Sequence, residues 1–151
     1  MSPSRILCSW FGAGFLPKAP GTWGSLAAVP LAWLLQMAGG WQALAVATVL
    51  VFAAGVWAAD KVVQADGTED PAWVVIDEVA GQWLTLLIVP PGWLAYAAGF
   101  VLFRLFDIWK PWPVAWADTT LKGGFGIMAD DILAGIYAAV ILAALKAGGL
   151  V

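Results

Sequence analysis

Five stretches of the chain are nearly free of polar residues, and each is read here as a helix: Trp23 to Met37, Trp41 to Val63, Ala72 to Val89, Trp93 to Trp109, and Asp131 to Leu145. The breaks between them carry turn chemistry, namely Gly39 with Gly40, then Asp66 to Pro71, then Pro90, Pro91 and Gly92, then a longer polar stretch from Lys110 to Gly126. Asp70 before Pro71 reads as a helix start, an N-cap oxygen ahead of a proline at the first helical position. At about 1.5 Å per residue such runs approach the thickness of a bilayer core. The first run carries Pro30 and is expected either to span or to re-enter.

Composition turns that pattern into a membrane assignment. Hydrophobic residues make up 62% of the 151 residues, against about 45 to 50% in soluble domains. Trp23, Trp41, Trp73, Trp93, Trp109, Trp112 and Trp116 fall at the ends of apolar runs, where amphipathic rings favour the headgroup zone. The expected fold is therefore a single all-α domain over residues 1–151, a compact membrane-embedded bundle of about five or six helices. The leading MSPSRILCSWFGAGFLP has one basic residue and an apolar run too short and glycine-broken for a signal peptide. Cys8 is the one cysteine, which removes a disulfide scaffold. A net charge of -3 without a basic cluster gives no footprint for nucleic acid.

If all five runs span, Arg5, Lys18, Lys61, Lys110 and Lys122 fall on the side of the N-terminus and only Lys146 on the other. Lys and Arg collect on the cytoplasmic side, so the amino end is expected inside and the carboxyl end outside. The long polar connections then face the cytoplasm, and the two far-side connections are little more than turns.

Charge placement supplies the candidate chemistry. Asp77, Glu78, Asp107, Asp130 and Asp131 lie inside or at the mouth of apolar runs, where a bare carboxylate costs roughly 2.5 to 3.5 kcal/mol on insertion scales. Arg104 lies within such a run, the only other basic residue in one being Lys61 near the end of the second. The topology puts all five acids near the inner interface, and their excess over cations points to a bound metal ion.

In the third run Asp77, Gly81 and Thr85 are spaced four apart, as are Glu78 and Gln82. Such residues stack on one helix face, here expected to point inward with the Asp-Glu pair as metal ligands. The plainer account is two acids favoured by the dipole near a helix N-terminus. In FRLFDIWKPWP, Arg104 and Asp107 could form an intrahelical pair with a snorkelling Lys110, or Arg104 could present its fork to a phosphate while Asp107 faces the cation. In KGGFGIMADDILAG, Gly123 and Gly124 would let backbone amides approach an anion, with Lys122 beside them. One of Asp130 and Asp131 is expected to cap the last helix, leaving the other as a ligand. In GAGFLPKAPGTWGS, Thr22 or Ser25 could cap the first helix, or a phosphate could sit there near Lys18.

The chain has no histidine, which excludes a phosphohistidine intermediate, a His general acid and a His-rich zinc site. Oxygen ligands with water suit Mg²⁺ or Mn²⁺.

The stretches PGTWGSLAAVP, IDEVAGQWLTLLIVP, FRLFDIWKPWP and KGGFGIMADDILAG, in this order from about Phe11 to about Ile136, resemble phosphatidylglycerophosphatase A, a family of bacterial lipid phosphatases. The resemblance implies Mg²⁺-dependent hydrolysis of the terminal phosphate of phosphatidylglycerophosphate in the cytoplasmic (inner) membrane. The multi-pass site would face the cytoplasm and take a phospholipid substrate. It carries over Thr22 and Ser25 from the first motif, and Asp77 with Glu78 from the second. From the rest come Arg104, Asp107, Lys110, Asp130 and Asp131. Ile76, before the Asp-Glu pair, departs from the more polar or aromatic residue expected there. On this reading Asp77, Asp107, Asp131 and Arg104 are the catalytic group. Lys18, Thr22, Ser25, Lys110, Lys122, Gly123 and Gly124 contact phosphate, and Asp77, Glu78, Asp107, Asp130 and Asp131 are the metal ligands. Two competing readings use the same acids: a small cation transporter or channel subunit, and a structural protein whose acids only cap helices and pair with Arg104 and Lys110.

Overall fold

The computed structural model describes residues 1–151 and is all-helical. Six helices follow one another: α1 (Pro3–Cys8), α2 (Pro20–Asp66), α3 (Ile76–Leu86), α4 (Trp93–Trp109), α5 (Val114–Thr120) and α6 (Gly123–Ala147), with one 3-10 turn at Ala13–Phe15.

α2 is a hairpin of two helices rather than a rod. Gly39 and Gly40 leave helical geometry, and Gly40 takes a φ of 64°, a region glycine occupies without steric cost. A straight helix of 47 residues would be about 70 Å long. Instead, Gly21 near its start packs against Glu78, and Gly55 in its second half packs against Ile76 and Met128, so both halves reach the beginning of α3. Gln36, close to the bend, donates to the Leu86 carbonyl at the other end of α3 over 2.9 Å. The first two apolar runs are therefore antiparallel neighbours joined at the predicted glycines.

The third run forms less helix than expected. Asp70 and Pro71 do not start it; α3 begins at Ile76 after Val75, without a side-chain cap. The reason lies in the segment before it, which is tied to α1 instead: the Val75 N–H donates to the Cys8 carbonyl at 2.8 Å, and Val74 and Val75 are buried. Of the five runs, only those in α2 and α6 form helices long and apolar enough by themselves to cross a membrane. Leu34, Val46, Val49, Leu50, Val101 and Val140 expose broad apolar surface on α2, α4 and α6, as a bilayer-facing bundle does.

α6 also departs from expectation, beginning at Gly123 rather than at Asp131. Its N-cap residue is Lys122 and no side chain of the flanking sequence caps it, so neither Asp130 nor Asp131 is a cap; both are buried about two turns inside. The glycines are responsible. A Cβ on Gly124 would run into the backbone of Val56 and Asp60, so the start of α6 lies flush on α2 and is helical from there. α5 falls in the stretch read as a polar connection, and buries Val114 and Ala117.

Chain direction alternates as the runs imply. Arg5 with Asp66, Lys122 with Glu69, and Lys110 with Asp118 and Asp130 gather at one end. Lys146 is at the other, donating to the Ile88 carbonyl at 2.9 Å. α3 is the central post. Its Trp83 donates to the Ala28 carbonyl at 2.8 Å, and its Gly81 faces α4 and α6 so closely that a Cβ would lie 2.5 Å from Phe103 and 2.6 Å from the Asp131 carbonyl. Gly135 on α6 is the reciprocal contact, with its would-be Cβ 2.7 Å from the Gly81 carbonyl.

Gly135→Ala should therefore force α3 and α6 apart. The expected cost is about 1 to 3 kcal/mol, the usual range for overpacking a fitted contact, read as a lowered midpoint in denaturant titration of the detergent-solubilised protein; an unchanged midpoint would contradict the close approach.

Candidate active site

The polar end of the bundle holds three carboxylates with no adequate partners. Asp77 and Glu78 stand in the first turn of α3, not deeper in the helix as the sequence suggested, because α3 starts late. Asp131 reaches them from α6. One oxygen from each lies within 4.8 Å of the others. Asp77 Oδ1, Glu78 Oε2 and Asp131 Oδ2 are buried without a hydrogen-bond partner in the protein. A helix N-terminus favours Asp77 and Glu78 electrostatically, but it does not account for a third acid brought from another helix.

Arg104 closes one side. Its Nη1 donates to Asp107 Oδ2 on its own helix and stands 3.7 Å from Glu78 Oε1, while its Nε has no partner. The intrahelical pair that the sequence allowed is thus formed, and the same side chain faces the carboxylate cluster. Gly21 of α2 abuts this pair so tightly that a Cβ would strike Glu78 Oε1 and come 3.1 Å from Arg104 Nη1. In the first motif it is Gly21 that meets the cluster. Ser25 is buried and donates back to the Gly21 carbonyl at 3.0 Å; Thr22 is half-buried and caps nothing, since α2 starts after Ala19 without a side-chain cap. Lys18 is exposed, in a left-handed turn with φ 62°.

Lys110 is held by the acid next to Asp131 in sequence. Its Nζ donates to Asp130 Oδ2 at 2.8 Å and to Asp118 Oδ1 at 2.5 Å. Partial burial alone would lower its pKa, but the two carboxylates outweigh that and hold it above the ordinary lysine value, so it stays a cation. Asp118 was not singled out from sequence; the signal was its position on a short helix opposite Lys110, masked by the polar stretch around it. Asp70, expected as a cap, instead lines a cavity of about 70 Å³ together with Asp118, Lys122, Gly123 and Asp130. Lys122 is exposed and paired with Glu69 at 2.7 Å. The Gly124 N–H, expected to face an anion, donates to Asp60 Oδ1 at 2.5 Å, and Gly123 lies beside the same carboxylate. Cys8 is buried away from the cluster and its pKa is pushed up to about 11, so its thiol is un-ionised at neutral pH.

The site is thus a buried set of oxygen donors with excess negative charge, flanked by two fixed cations. An all-oxygen set of this kind suits a hard divalent ion such as Mg²⁺, and the three unpartnered oxygens are where it would be held.

A family model described as phosphatidylglycerophosphatase A matches residues 6–146. The chain belongs to the phosphatidylglycerophosphatase A family. It is 43% identical over 142 residues to the Escherichia coli (strain K12) phosphatidylglycerophosphatase A, covering 93% of this chain and 82% of that protein. It is 39% identical over 147 residues to the Haemophilus influenzae protein of the same name, covering 97% and 90%. A Bacteroides thetaiotaomicron protein with the provisional name phosphatidylinositol-3-phosphatase is 44% identical over 145 residues, covering 91% and 90%. No solved structure matches the fold. The family match spans every residue of the carboxylate cluster as well as Arg104 and Lys110.

If the three acids hold a divalent ion, Mg²⁺ should raise the thermal midpoint of the purified protein, since a ligand bound only by the native state stabilises it by about 2.7 kcal/mol at a hundredfold excess over its Kd. Asp131→Asn should abolish that rise while leaving the fold intact by circular dichroism. A midpoint indifferent to Mg²⁺ in the unsubstituted protein would remove the metal from the site.

Proposed function

We propose that this member of the family is a Mg²⁺-dependent lipid phosphatase that hydrolyses the terminal monoester of phosphatidylglycerophosphate to phosphatidylglycerol and inorganic phosphate. The observation that carries the reading is the convergence of Asp77, Glu78 and Asp131, each with a desolvated and unpartnered oxygen, beside the fork of Arg104. The names of the two phosphatidylglycerophosphatase A relatives support the choice of substrate.

Asp77, Glu78 and Asp131 would hold the ion. When bound, Mg²⁺ would offset the charge on the phosphoryl oxygens and make water a better nucleophile. Arg104 has an unpartnered Nε and would orient the phosphoryl group with its planar fork. Asp107 keeps that fork in place, and Asp130 with Asp118 keeps Lys110 as a second positive contact. Asp107 and Asp130 thus serve as orienting partners of the two cations in this scheme, not as ligands of the ion. Hydrolysis forms a bond from water oxygen to phosphorus and breaks the bond from phosphorus to the headgroup oxygen, and the departing alkoxide gains a proton. With no histidine in the chain, that proton would come from water, a lysine or a carboxylic acid of the site.

The site lies at the end of the bundle that gathers Arg5, Lys110 and Lys122, and the positive-inside rule supports a site that faces the cytoplasm. The acyl chains can stay in the bilayer while only the headgroup enters. A transporter would need its carboxylates along a path between both faces, whereas these stand at one end.

The assay is release of inorganic phosphate from phosphatidylglycerophosphate, phosphatidic acid and phosphatidylinositol 3-phosphate in mixed micelles, with Mg²⁺ or EDTA. Phosphatidylglycerophosphate should be turned over fastest, EDTA should stop turnover, and Asp77→Asn should lower it by a factor of at least about 100. Arg104→Lys, which keeps charge but not the fork, should lose at least about tenfold. Turnover in EDTA would exclude the metal, and a preference for phosphatidylinositol 3-phosphate would reassign the substrate.

A further inference from the structure

The start of α6 is capped from another helix. The residue before it is Lys122, whose side chain has no acceptor, and the sequence around it supplies no cap. The Gly124 N–H, one of the donors a helix start leaves unsatisfied, is taken by Asp60 Oδ1 at 2.5 Å. Asp60 lies in the second half of α2, whose backbone at Val56 and Asp60 touches Gly124 where any side chain would clash. We infer that Asp60 is a positioning residue of the active site, fixing the height and tilt of α6 and through them the place of Asp131; this rests on the proposed phosphatase reading for its kinetic test.

Helix geometry makes the link quantitative. From Gly124 to Asp131 is seven residues, about two turns or 10 Å, so the two share a face. One turn further on, Gly135 sits on the Gly81 carbonyl, and the Asp131 carbonyl lies against Gly81 as well, so this turn of α6 is seated on α3. Asp131 therefore lies between an anchor at Asp60 and the inner limit of that seat at Gly135, about 6 Å from Gly135, while the anchor is about 16 Å from it. A rigid tilt of α6 about Gly135 that moved the anchored end by about 1 Å would move Asp131 by roughly a third of that. Ligand positions in metal sites are held to about 0.2 Å, so such a shift is large on the scale that matters. The carboxylate of Asp60 also faces the positive end of the α6 dipole. Asn would keep an acceptor for the Gly124 amide but not the charge; Ala would keep neither.

The test compares Asp60→Ala and Asp60→Asn with the unsubstituted protein in phosphate release from phosphatidylglycerophosphate, in the Mg²⁺ concentration for half-maximal rate, and in the Mg²⁺-induced rise of the thermal midpoint. Asp60→Ala should lower kcat about tenfold or more with KM for the lipid unchanged, raise the half-maximal Mg²⁺ about 10- to 100-fold as loss of an outer-shell partner does, and shrink the thermal response. Asp60→Asn should stay within about threefold of the unsubstituted protein, since an amide acceptor still satisfies the Gly124 N–H. Equal kcat and Mg²⁺ response in Asp60→Ala would overturn the inference, even with a lowered midpoint, because that is what a merely structural cap would give. Equal impairment of Asp60→Asn would overturn it too, as would failure of the alanine variant to fold alongside an impaired asparagine variant. Failure of the phosphatase reading is separate: the unsubstituted protein would then release no phosphate or show no Mg²⁺ response.

Discussion

Three carboxylates held together out of water repel one another and forfeit their hydration, and much of the architecture can be understood as the means of holding them there. Asp77 and Glu78 come from the first turn of a short helix whose backbone amides and dipole favour negative charge. Asp131 has no such help two turns inside α6, and α6 is pressed onto α3 beside it through glycines on both helices. Arg104 and Lys110 offset part of the charge, but each is already engaged by a second acid, Asp107 or Asp130. What remains uncompensated is negative charge, which a divalent cation would offset.

That arrangement divides the labour among the helices. α2 and α6 bring the apolar length and much of the exposed apolar surface, whereas α3 is too short to cross a bilayer and acts as an internal post. Small residues do the fitting where helices must touch closely: Gly21 at Glu78, Gly81 against Phe103, Gly124 on α2 and Gly135 on Gly81. Cavities and loose side chains at those points would let the acids drift apart. The helix contacts near the site are thus governed by how small a residue is, and those further away by how apolar it is.

Much of this was legible in the order of residues. The alternation of apolar runs with glycine and proline breaks located the hairpin bend at Gly39 and Gly40, and the lopsided placement of lysines and arginines anticipated which ends of the helices lie together. The acids in apolar surroundings marked Asp77, Glu78, Asp107, Asp130 and Asp131 alike, because burial without a partner is costly; that cost does not separate out Asp107 and Asp130, which Arg104 and Lys110 partner. Helix boundaries were less legible. Asp70 with Pro71 has the chemistry of a helix start, but the segment makes only a turn, Val74 N–H to the Pro71 carbonyl, before Val75 is tied to Cys8, distant in sequence. The Asp130–Asp131 pair likewise looked like a cap, because nothing local says that Gly123 and Gly124 begin a helix by lying on α2. Asp118 and Asp60 escaped notice for the same reason, since each acquires its role from a partner on another element.

The α2 hairpin returns the chain to the end it came from, and α3 with α4 does so again, so the turns at Gly39–Gly40 and at Pro90–Gly92 sit at the opposite end from the carboxylates. Those turns bear no part of the chemistry and bind none of the groups that place it. They are consequently the sites where the family can lengthen, shorten or decorate the chain at little expense, and where a fusion partner or an epitope is best inserted. The connections at the other end have no such freedom, because each one carries or abuts a charged group of the site.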